Sequence, residues 1–451
     1  MKRTTADAAQ VSGGQLIGED SSYDVVSSDS RTLPAGSLFV ALRGPNFDGA
    51  DFVAAAAARG AVAALVERRV AAPLTQIVVP DALRALQQLA SAWRAEFDCP
   101  IVGVAGSNGK TTAKTMTGAI LSRMGPCMAT QGNLNNHIGV PLTLMRLAPL
   151  HRSAVVEMGA NRIGDVAELV KIAGPTIGLI TNAGAEHLEG FGDLDGVAQG
   201  EGEMVAGLSP EATAIINADD AYAGYWRSVA SARRIVTFGA HADFAAKDVV
   251  QSIEQGEFQT RFTLHCPLGE CPIVLKAGGA HNIANALAAA AAAASAGASL
   301  QDIASGLADF RAVAGRLQLK AGPRGSWIID DSYNANPSSV RVGLEVLRSL
   351  SGATWLVLAD MAELGEQTAD LHAHVGSYAR DCGVRRLFAM GTQSSRAVET
   401  FGAGGEWFAD PNALIRRLQA ELSPGVTVLV KGSRVNRLER VVQALTGGGI
   451  A

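Results

Sequence analysis

Short apolar runs alternate with amphipathic stretches along most of the chain. Between residues 101 and 217 the runs are IVGVA, SAVVEMG, TIGLITN and ATAIINA, with helical patterns between them. Buried parallel strands that are separated by helices produce this rhythm. It predicts an α/β protein whose central domain is built on a doubly wound, mostly parallel sheet.

The same rhythm continues on both sides of this region. SLFVAL, AVAALVE and QIVV predict a small α/β domain over residues 1–80, and the central domain is predicted over residues 81–316. SWIIDD, TWLVLAD, RRLFAMG and VTVLVKG predict a Rossmann-like domain over residues 317–451. Within the central domain, KDVVQSIEQGEFQTRFTLHC alternates in polarity, which favours an antiparallel excursion.

A glycine-rich turn, GVAGSNGKTT, follows the first central strand at Gly103 to Thr112. The helix predicted after it begins at Thr111 and ends at Gly125. Backbone N–H groups and the helix dipole at such a turn attract anions. Lys110 could therefore reach the terminal phosphates of ATP, and Thr111 could hold Mg²⁺. The alternative is an ordinary strand–turn–helix corner that binds no phosphate. The spacing of the glycines differs from that of the usual Walker A pattern, so the type of loop is a separate question.

Composition narrows the classes of function. The 451 residues are 48% hydrophobic and carry a net charge of −5, with no cluster of Lys and Arg, which argues against nucleic acid as a partner. MKRTTADAAQ has no apolar core, and the apolar run LAAAAAAASAGA is too short to span a bilayer, so we expect a buried helix and no membrane insertion. Five cysteines without a CxxC pair predict reduced thiols and a cytoplasmic protein.

Several polar residues follow predicted strands or begin predicted helices. Glu157 and His187 follow strands, and Mg²⁺ prefers oxygen ligands, so Glu157 is the stronger metal candidate while His187 is equally typical of a surface residue. Asn282 begins a helix, where simple capping is the alternative. Arg316 could meet a phosphate. The polar residues after SWII, from Asp330 to Asn336, suit either a ligand-binding edge or a loop.

The turn G-x-x-G-x-x-G-K-T resembles that of the Mur ligase family, whose relatives include folylpolyglutamate synthases. Further blocks resemble the family member that joins D-alanyl-D-alanine to UDP-N-acetylmuramoyl-tripeptide: TQGNLNNHIGVPLTL, VVEMGAN, NAGAEHLEGFG, GAHNIANALAAA, DDSYNANPSS, DMAELGE and LVKGSR. SSDSRTLPAGSLFVALRGPNFDGADF resembles the family's UDP-sugar domain. The resemblance implies an ATP-dependent ligase of peptidoglycan precursor synthesis that uses Mg²⁺ and an acyl-phosphate intermediate. A monomer acting on these two small-molecule substrates is expected.

The resemblance also implies roles for individual residues. Catalytic roles fall to Lys110, Glu157, His187 and Glu201, and metal binding to Thr111, Glu157 and His187. ATP binding falls to Gly106, Ser107, Asn108, Gly109, Lys110, Thr111, Thr112, Asn282, Arg316 and Asp331. Substrate binding falls to Ser30, Arg31, Asn133, Asn135, Asn136, Tyr333, Asn334 and Asn336.

Two positions depart from the family pattern. Ala50 stands where relatives often have histidine, which removes one N-terminal contact. Glu201 stands where the family has a lysine that takes up CO₂ to become a carbamate supporting a second Mg²⁺. With an ordinary pKa of about 4.3, Glu201 would be ionised at neutral pH and could substitute for that carbamate, with Gly200 and Gly202 allowing a close backbone approach. The alternative is a solvated surface charge.

Two other functions remain open. The neighbouring Mur ligase, which adds the third amino acid, usually carries a D-N-P-R motif, and DMAELGE stands in the expected region here. A nucleotide-binding switch or regulatory ATPase that forms no bond is the second alternative. The sequence leaves open whether the third peptide residue is diaminopimelate or lysine.

Overall fold

Three α/β domains organise the chain, and the computed structural model describes residues 3–232 and 234–447. The N-terminal domain has a five-stranded sheet in the order β2-β9-β8-β5-β4, parallel except for β2. Its strands are β1 Arg3–Thr4, β2 Gln15–Ile17, β3 Ser22–Tyr23, β4 Val25–Ser27, β5 Ser37–Val40, β6 Arg43–Gly44, β7 Phe47–Asp48, β8 Ala63–Val66 and β9 Thr75–Val78. Helices α1 Thr5–Ser12, α2 Val53–Ala58 and α3 Ala82–Ala95 accompany them, with a 3₁₀ turn at Gly49–Phe52.

The central sheet is six-stranded and parallel throughout, in the order β11-β12-β10-β13-β14-β15. Its strands are β10 Ile101–Ala105, β11 Cys127–Ala129, β12 Ser153–Glu157, β13 Ile177–Ile180, β14 Thr213–Asn217 and β15 Arg234–Phe238. The helices are α4 Lys110–Leu121, α5 Gly139–Leu144, α6 Asp165–Ala173, α7 Leu188–Phe191, α8 Leu194–Ala206, α9 Ala223–Val229, α10 Ala280–Ser295 and α11 Leu300–Asp309. The predicted doubly wound sheet is confirmed.

The antiparallel excursion is also confirmed. Strands β16 Ala245–Glu254, β17 Glu257–Cys266 and β18 Gly269–Leu275 form a three-stranded antiparallel sheet. The alanine-rich run lies in α10, as predicted, and residues 288–293 are completely buried. Because alanine has a short side chain, α10 packs closely against α4, the helix that follows the glycine-rich turn.

The C-terminal domain has a six-stranded sheet in the order β19-β20-β24-β21-β22-β23, in which only β19 is antiparallel to its neighbour. Its strands are β19 Gln318–Ala321, β20 Trp327–Asp331, β21 Ala353–Ala359, β22 Arg386–Met390, β23 Gly405–Phe408 and β24 Val426–Lys431. Its helices are α12 Pro337–Arg348, α13 Thr368–Asp381, α14 Ser395–Phe401, α15 Pro411–Glu421 and α16 Glu439–Thr446, with 3₁₀ turns at Pro323–Gly325, Gly365–Gln367 and Arg434–Asn436.

One predicted helix has different bounds. Helix α4 begins at Lys110 and ends at Leu121, whereas the sequence predicted an end at Gly125. The chain turns after Leu121, where the backbone N–H of Ser122 closes the helix on Gly118. Among the described residues, no helix combines the length and apolar character needed to cross a bilayer.

Candidate active site

The glycine-rich turn lies where the central sheet changes winding direction. Strand β10 pairs with β12 on one side and β13 on the other, so the turn after β10 lies at the switch point where open α/β sheets bind ligands. Gly106 and Gly109 have φ of +116° and +87°. A Cβ at Gly106 would collide with Thr181 Oγ1, and one at Gly109 with Asn285 Oδ1. Both positions therefore require glycine.

Polar residues after β13 hold this loop in place. The Ser107 and Asn108 N–H groups donate to the backbone and side-chain oxygens of Asn182, at 2.9 and 3.0 Å. Asn182 Nδ2 and Thr181 Oγ1 each donate to Asn108 O at 2.8 Å. The residues that follow β13 therefore preorganise the loop. Asn182, which makes most of these contacts, was not among the predicted residues.

Lys110 begins α4 and folds back over the loop. Its Nζ donates to Gly106 O at 2.5 Å and Ser107 O at 3.1 Å, and lies 3.2 Å from Glu186 Oε1. Burial opposes the charge of Lys110, but Glu186 and two further carboxylates raise its pKa above the ordinary value. Lys110 is therefore a charged, largely buried ammonium at the mouth of the loop.

Glu157 ends β12 beside the loop. Its Oε1 accepts a hydrogen bond from Asn135 Nδ2 at 2.9 Å, and its Oε2 lies 3.1 Å from Lys114 Nζ. Glu157 and Lys114 are both buried. Lys114 was not among the predicted residues, although its position four residues after Lys110 places both on one face of α4.

His187 links the central and C-terminal domains. Its Nδ1 contacts Glu363 Oε2, in the loop after β21. Both residues have left-handed backbones, with φ of 48° and 63°, which is uncommon outside glycine. His187 lies at the second cavity, as predicted, whereas Glu363 and the adjacent Glu186 were not predicted.

Glu201 lies in α8 and is fully buried, so the surface-charge alternative is wrong. Its Oε2 accepts a hydrogen bond from the Gly106 N–H at 2.6 Å. A Cβ on Gly200 would meet the ring of Phe191, and one on Gly202 would lie 3.0 Å from Trp226, so these glycines do allow α8 to pack closely. The expected ordinary pKa is also wrong, because burial raises the pKa of Glu201 to about 7.

Two adjoining cavities border the loop. The first, of about 300 Å³, is lined by Asn108, Gly109, Thr111, Thr112, Asn282, Arg316 and Asp331 among others. The second, of about 280 Å³, is lined by Ser107, Lys110, Asn133, Asn135, Asn136, Glu157, His187, Tyr333, Asn334 and Asn336 among others. Asn108, Gly109, Thr111 and Arg316 border both cavities, so a ligand could pass from one to the other over the loop.

The C-terminal domain lines one side of both cavities. Asn336 caps α12 and donates through Nδ2 to Asn108 Oδ1 at 3.0 Å, while Asn108 Nδ2 donates to Ser338 Oγ at 3.0 Å. Asp331 forms a buried pair with Lys431 at 2.5 Å. Burial raises the pKa of Asp331 and lowers that of Lys431, and each partner opposes the shift of the other.

Arg316 and Asn282 complete the first cavity. The Arg316 guanidinium stacks 4.4 Å from the centroid of the Tyr333 ring, at the junction of the two cavities. Asn282 Nδ2 donates to Gly278 O at 2.8 Å. Next to it, burial and the nearby Lys431 lower the pKa of His281 to about 4, so this imidazole is neutral.

Four predicted residues lie outside both cavity linings: Gly106, Glu201, Ser30 and Arg31. Gly106 and Glu201 support the loop from behind. Arg31 is exposed and forms a bidentate pair with Asp29, at 2.9 Å for each hydrogen bond, in the N-terminal domain. Ala50, the other departure from the family pattern, is buried in the 3₁₀ turn Gly49–Phe52.

The donors around the second cavity suit Mg²⁺. Thr111 and Glu157 offer oxygen ligands beside the loop, with His187 on the same cavity. In residues 3–232 and 234–447, no group of three or more His, Cys, Asp or Glu side chains is arranged as a complete metal cage. Mg²⁺ at nucleotide sites usually takes one or two protein ligands and completes its shell with phosphates and water, so this set fits.

Comparison with known protein families covers most of the chain. The Mur ligase family catalytic domain matches residues 22–94, the Mur ligase middle domain residues 104–293, and the Mur ligase glutamate ligase domain residues 315–434. The chain belongs to the Mur ligase family. This Mur ligase is 43% identical over 451 residues to the UDP-N-acetylmuramoyl-tripeptide--D-alanyl-D-alanine ligase of Escherichia coli (strain K12), covering 99% of each chain. The enzyme of the same name from Bacillus subtilis (strain 168) is 34% identical, with 99% and 98% covered.

Solved structures agree with this assignment. The Mur ligase superposes on MurF from Acinetobacter baumannii with a TM-score of 0.92 and 33% identity, covering 99% of both chains. The MurF ligase from Thermotoga maritima, solved in complex with ADP, gives a TM-score of 0.82 at 26% identity, with 94% and 97% covered. The three-domain architecture predicted from the sequence is therefore confirmed.

Proposed function

We propose that the protein is an ATP-dependent ligase that joins D-alanyl-D-alanine to UDP-N-acetylmuramoyl-tripeptide in the cytoplasm, as a step of peptidoglycan precursor synthesis. The observation that carries the proposal is the pair of adjoining cavities that meet at Asn108, Gly109 and Thr111, in a chain whose full-length relatives bear that enzyme's name. The protein would act as a monomer, with domains divided at residues 80 and 316.

ATP would occupy the first cavity, with its terminal phosphate directed over the loop into the second. Asn282 would contact the adenine, and Asp331 and Arg316 the ribose and phosphates. The loop N–H groups and Lys110 suit the phosphates because they form a fixed, positive cradle. The MurF relative that was solved with ADP supports a nucleotide in this fold.

The peptide substrate would span two domains. Ser30 and Arg31 would hold the UDP end in the N-terminal domain, and Asn133, Asn135 and Asn136 would line the path of the peptide in the second cavity. Tyr333, Asn334 and Asn336 would receive the dipeptide from the C-terminal side. A long substrate explains why Ser30 and Arg31 lie apart from both cavities.

The reaction would proceed in two displacements. A carboxylate oxygen of the tripeptide attacks the γ-phosphorus, the bond to ADP breaks, and an acyl phosphate forms. The dipeptide amine then attacks the acyl carbon, the bond to phosphate breaks, and the proton lost by the amine passes to the departing phosphate. Lys110 would stabilise the charge on the transferred phosphoryl group. Thr111 and Glu157 would hold Mg²⁺ beside His187, and the metal supplies charge neutralisation between the anions.

Closure of the C-terminal domain would protect the acyl phosphate from water. The hydrogen bond that Asn336 donates to Asn108 and the one that Asn108 donates to Ser338 hold the loop tip against the C-terminal domain. Glu201 would contribute by fixing the loop through Gly106, whose N–H it accepts.

A substrate panel tests the proposal. Purified protein with ATP and Mg²⁺ should release ADP only when a UDP-tripeptide and D-alanyl-D-alanine are both present, and mass spectrometry should detect the joined product. A comparison of UDP-tripeptides that carry diaminopimelate or lysine identifies the third residue of the peptide that the protein accepts. Release of ADP with a UDP-dipeptide and a free amino acid would instead identify the neighbouring Mur ligase. Hydrolysis that no amine stimulates would favour a regulatory ATPase.

A further inference from the structure

Glu186 pairs with the loop lysine, Lys110, at the edge of the second cavity. Its Oε1 lies 3.2 Å from Lys110 Nζ, and the two side chains are only 9% and 15% exposed. The other two contacts of Nζ are the carbonyls of Gly106 and Ser107. An ammonium has three donors, so Glu186 and the loop together occupy all of them.

The charges around this contact leave Glu186 dependent on Lys110. Glu157 has its own cation, because Lys114 lies 3.1 Å from its Oε2. Glu201 is tied to the Gly106 N–H. The second oxygen of Glu186 has a long contact of 3.5 Å, to Asn336 Nδ2, which carries no full charge. Lys110 is therefore the cation that compensates Glu186.

A nucleotide that enters the loop would have to take Lys110 from Glu186. Removing one partner of a buried ion pair leaves the other charge uncompensated, which is strongly unfavourable. Here the carboxylate of Glu186, without its cation, would also face the incoming phosphates, which are themselves negative. A divalent cation that arrived with the phosphates would compensate both groups at once.

We propose that Glu186 is a positioning residue that makes nucleotide binding depend on a divalent cation, by holding Lys110 in the absence of phosphate and by repelling a nucleotide that carries no metal. This inference rests on the nucleotide-binding part of the proposed function and on no feature of the second substrate. It assigns a role to a residue that borders the second cavity beside His187.

Calorimetric titration with ADP provides the test, once in excess Mg²⁺ and once in EDTA. Glu186→Gln keeps the shape of the side chain and removes its charge. We expect it to strengthen binding of metal-free ADP by at least about tenfold, the usual size of one charge-assisted contact, and to change binding of Mg-ADP much less. Glu186→Asp keeps the charge and should retain the weak metal-free binding of the original protein.

Glu189→Gln is the matched control, since it removes the same charge from an exposed position three residues away. Its affinities should equal those of the unmodified protein in both buffers. An unchanged or weakened metal-free affinity in Glu186→Gln would overturn the inference, as would an equal gain with and without Mg²⁺. If the unmodified protein bound no ADP in Mg²⁺, the nucleotide site itself would be wrong, which is a different failure.

Discussion

The carboxylate of Glu201 accepts a hydrogen bond from the backbone N–H of Gly106, 2.6 Å away, at the start of the glycine-rich loop. A helix 95 residues further along the chain thus supports the loop from its buried side. The bond needs neither CO₂ nor a modified lysine. It does require a carboxyl group that is fully buried, which makes the stability of the protein depend on pH.

Glu201→Gln should remove that pH dependence. Because burial raises the pKa of Glu201 from 4.5 to about 7, the folded protein binds the proton more tightly than the unfolded chain. Stability is therefore full below pH 4.5 and falls as pH rises towards 7, by on the order of 3 kcal/mol in total. Thermal unfolding should show the variant to be more stable than the original protein at pH 8.5, with a smaller difference at pH 5.5.

The exposed Glu211 supplies the control for that experiment. Glu211→Gln should unfold like the original protein at both pH values. If Glu201→Gln exceeds the original protein in stability by the same amount at pH 5.5 and at pH 8.5, the pKa of Glu201 is not raised.

Lys110→Ala should abolish ATP turnover in a protein that still folds. Lys110 is the charged group at the mouth of the loop, and loss of a preorganised cation at a transition state costs roughly 10²–10³ in rate. Steady-state ADP release measures the effect, with circular dichroism to verify folding. Lys171→Ala, an exposed lysine on α6, should keep normal turnover. Comparable rates in the two variants would rule out Lys110 as a catalytic residue.

Lys114→Met should destabilise the protein through Glu157. The two groups form a buried pair at 3.1 Å, and removal of one partner strands the other charge at a cost of about 3 kcal/mol. The double variant Lys114→Met/Glu157→Gln should regain part of this stability in chemical denaturation, while its ligase activity stays low. A double variant that is no more stable than Lys114→Met would show that the charge of Glu157 is not the cause.

Gly109→Ala should distort the loop by contact as well as by backbone strain. A Cβ there would collide with Asn285 Oδ1, and φ is +87°. Gly164 is a matched control, because it also precedes a helix, with φ of +99° and open space around a Cβ. We expect Gly164→Ala to lose about 1 kcal/mol from strain alone and to bind ADP normally. Gly109→Ala should lose more stability than Gly164→Ala and most of its affinity for ADP. Equal losses in the two variants would show that the collision with Asn285 Oδ1 has no effect.

The sheets were predictable because their strands are continuous apolar runs that few other structures accommodate. Strand β10 matched IVGVA residue for residue. The end of α4 could not be predicted, because the residue types from Ser122 to Gly125 are compatible with a helix and only the structure shows that the chain turns after Leu121. Site residues next to the glycine pattern followed from spacing, and Lys114 could have been found in the same way.

The charge state of Glu201 and the partner of His187 could not be predicted. Burial of Glu201 depends on how closely α8 approaches the loop, which is a tertiary property. Glu363 belongs to a different domain from His187, so no local pattern connects them. Ordinary pKa values describe solvated groups, so the sequence suggested an unperturbed Glu201, whereas burial raises its pKa to about 7.

The hydrogen bonds between Asn108 and the start of α12 have a kinetic consequence. If the proposed function holds, these bonds would slow the entry and release of nucleotide at the loop, and the residence time of ADP would then depend on the separation of two domains. A small molecule that bridged Asn108 and Ser338 would therefore inhibit by prolonging occupancy. Raising the ATP concentration would not relieve such an inhibitor, because the two would not compete for the same atoms.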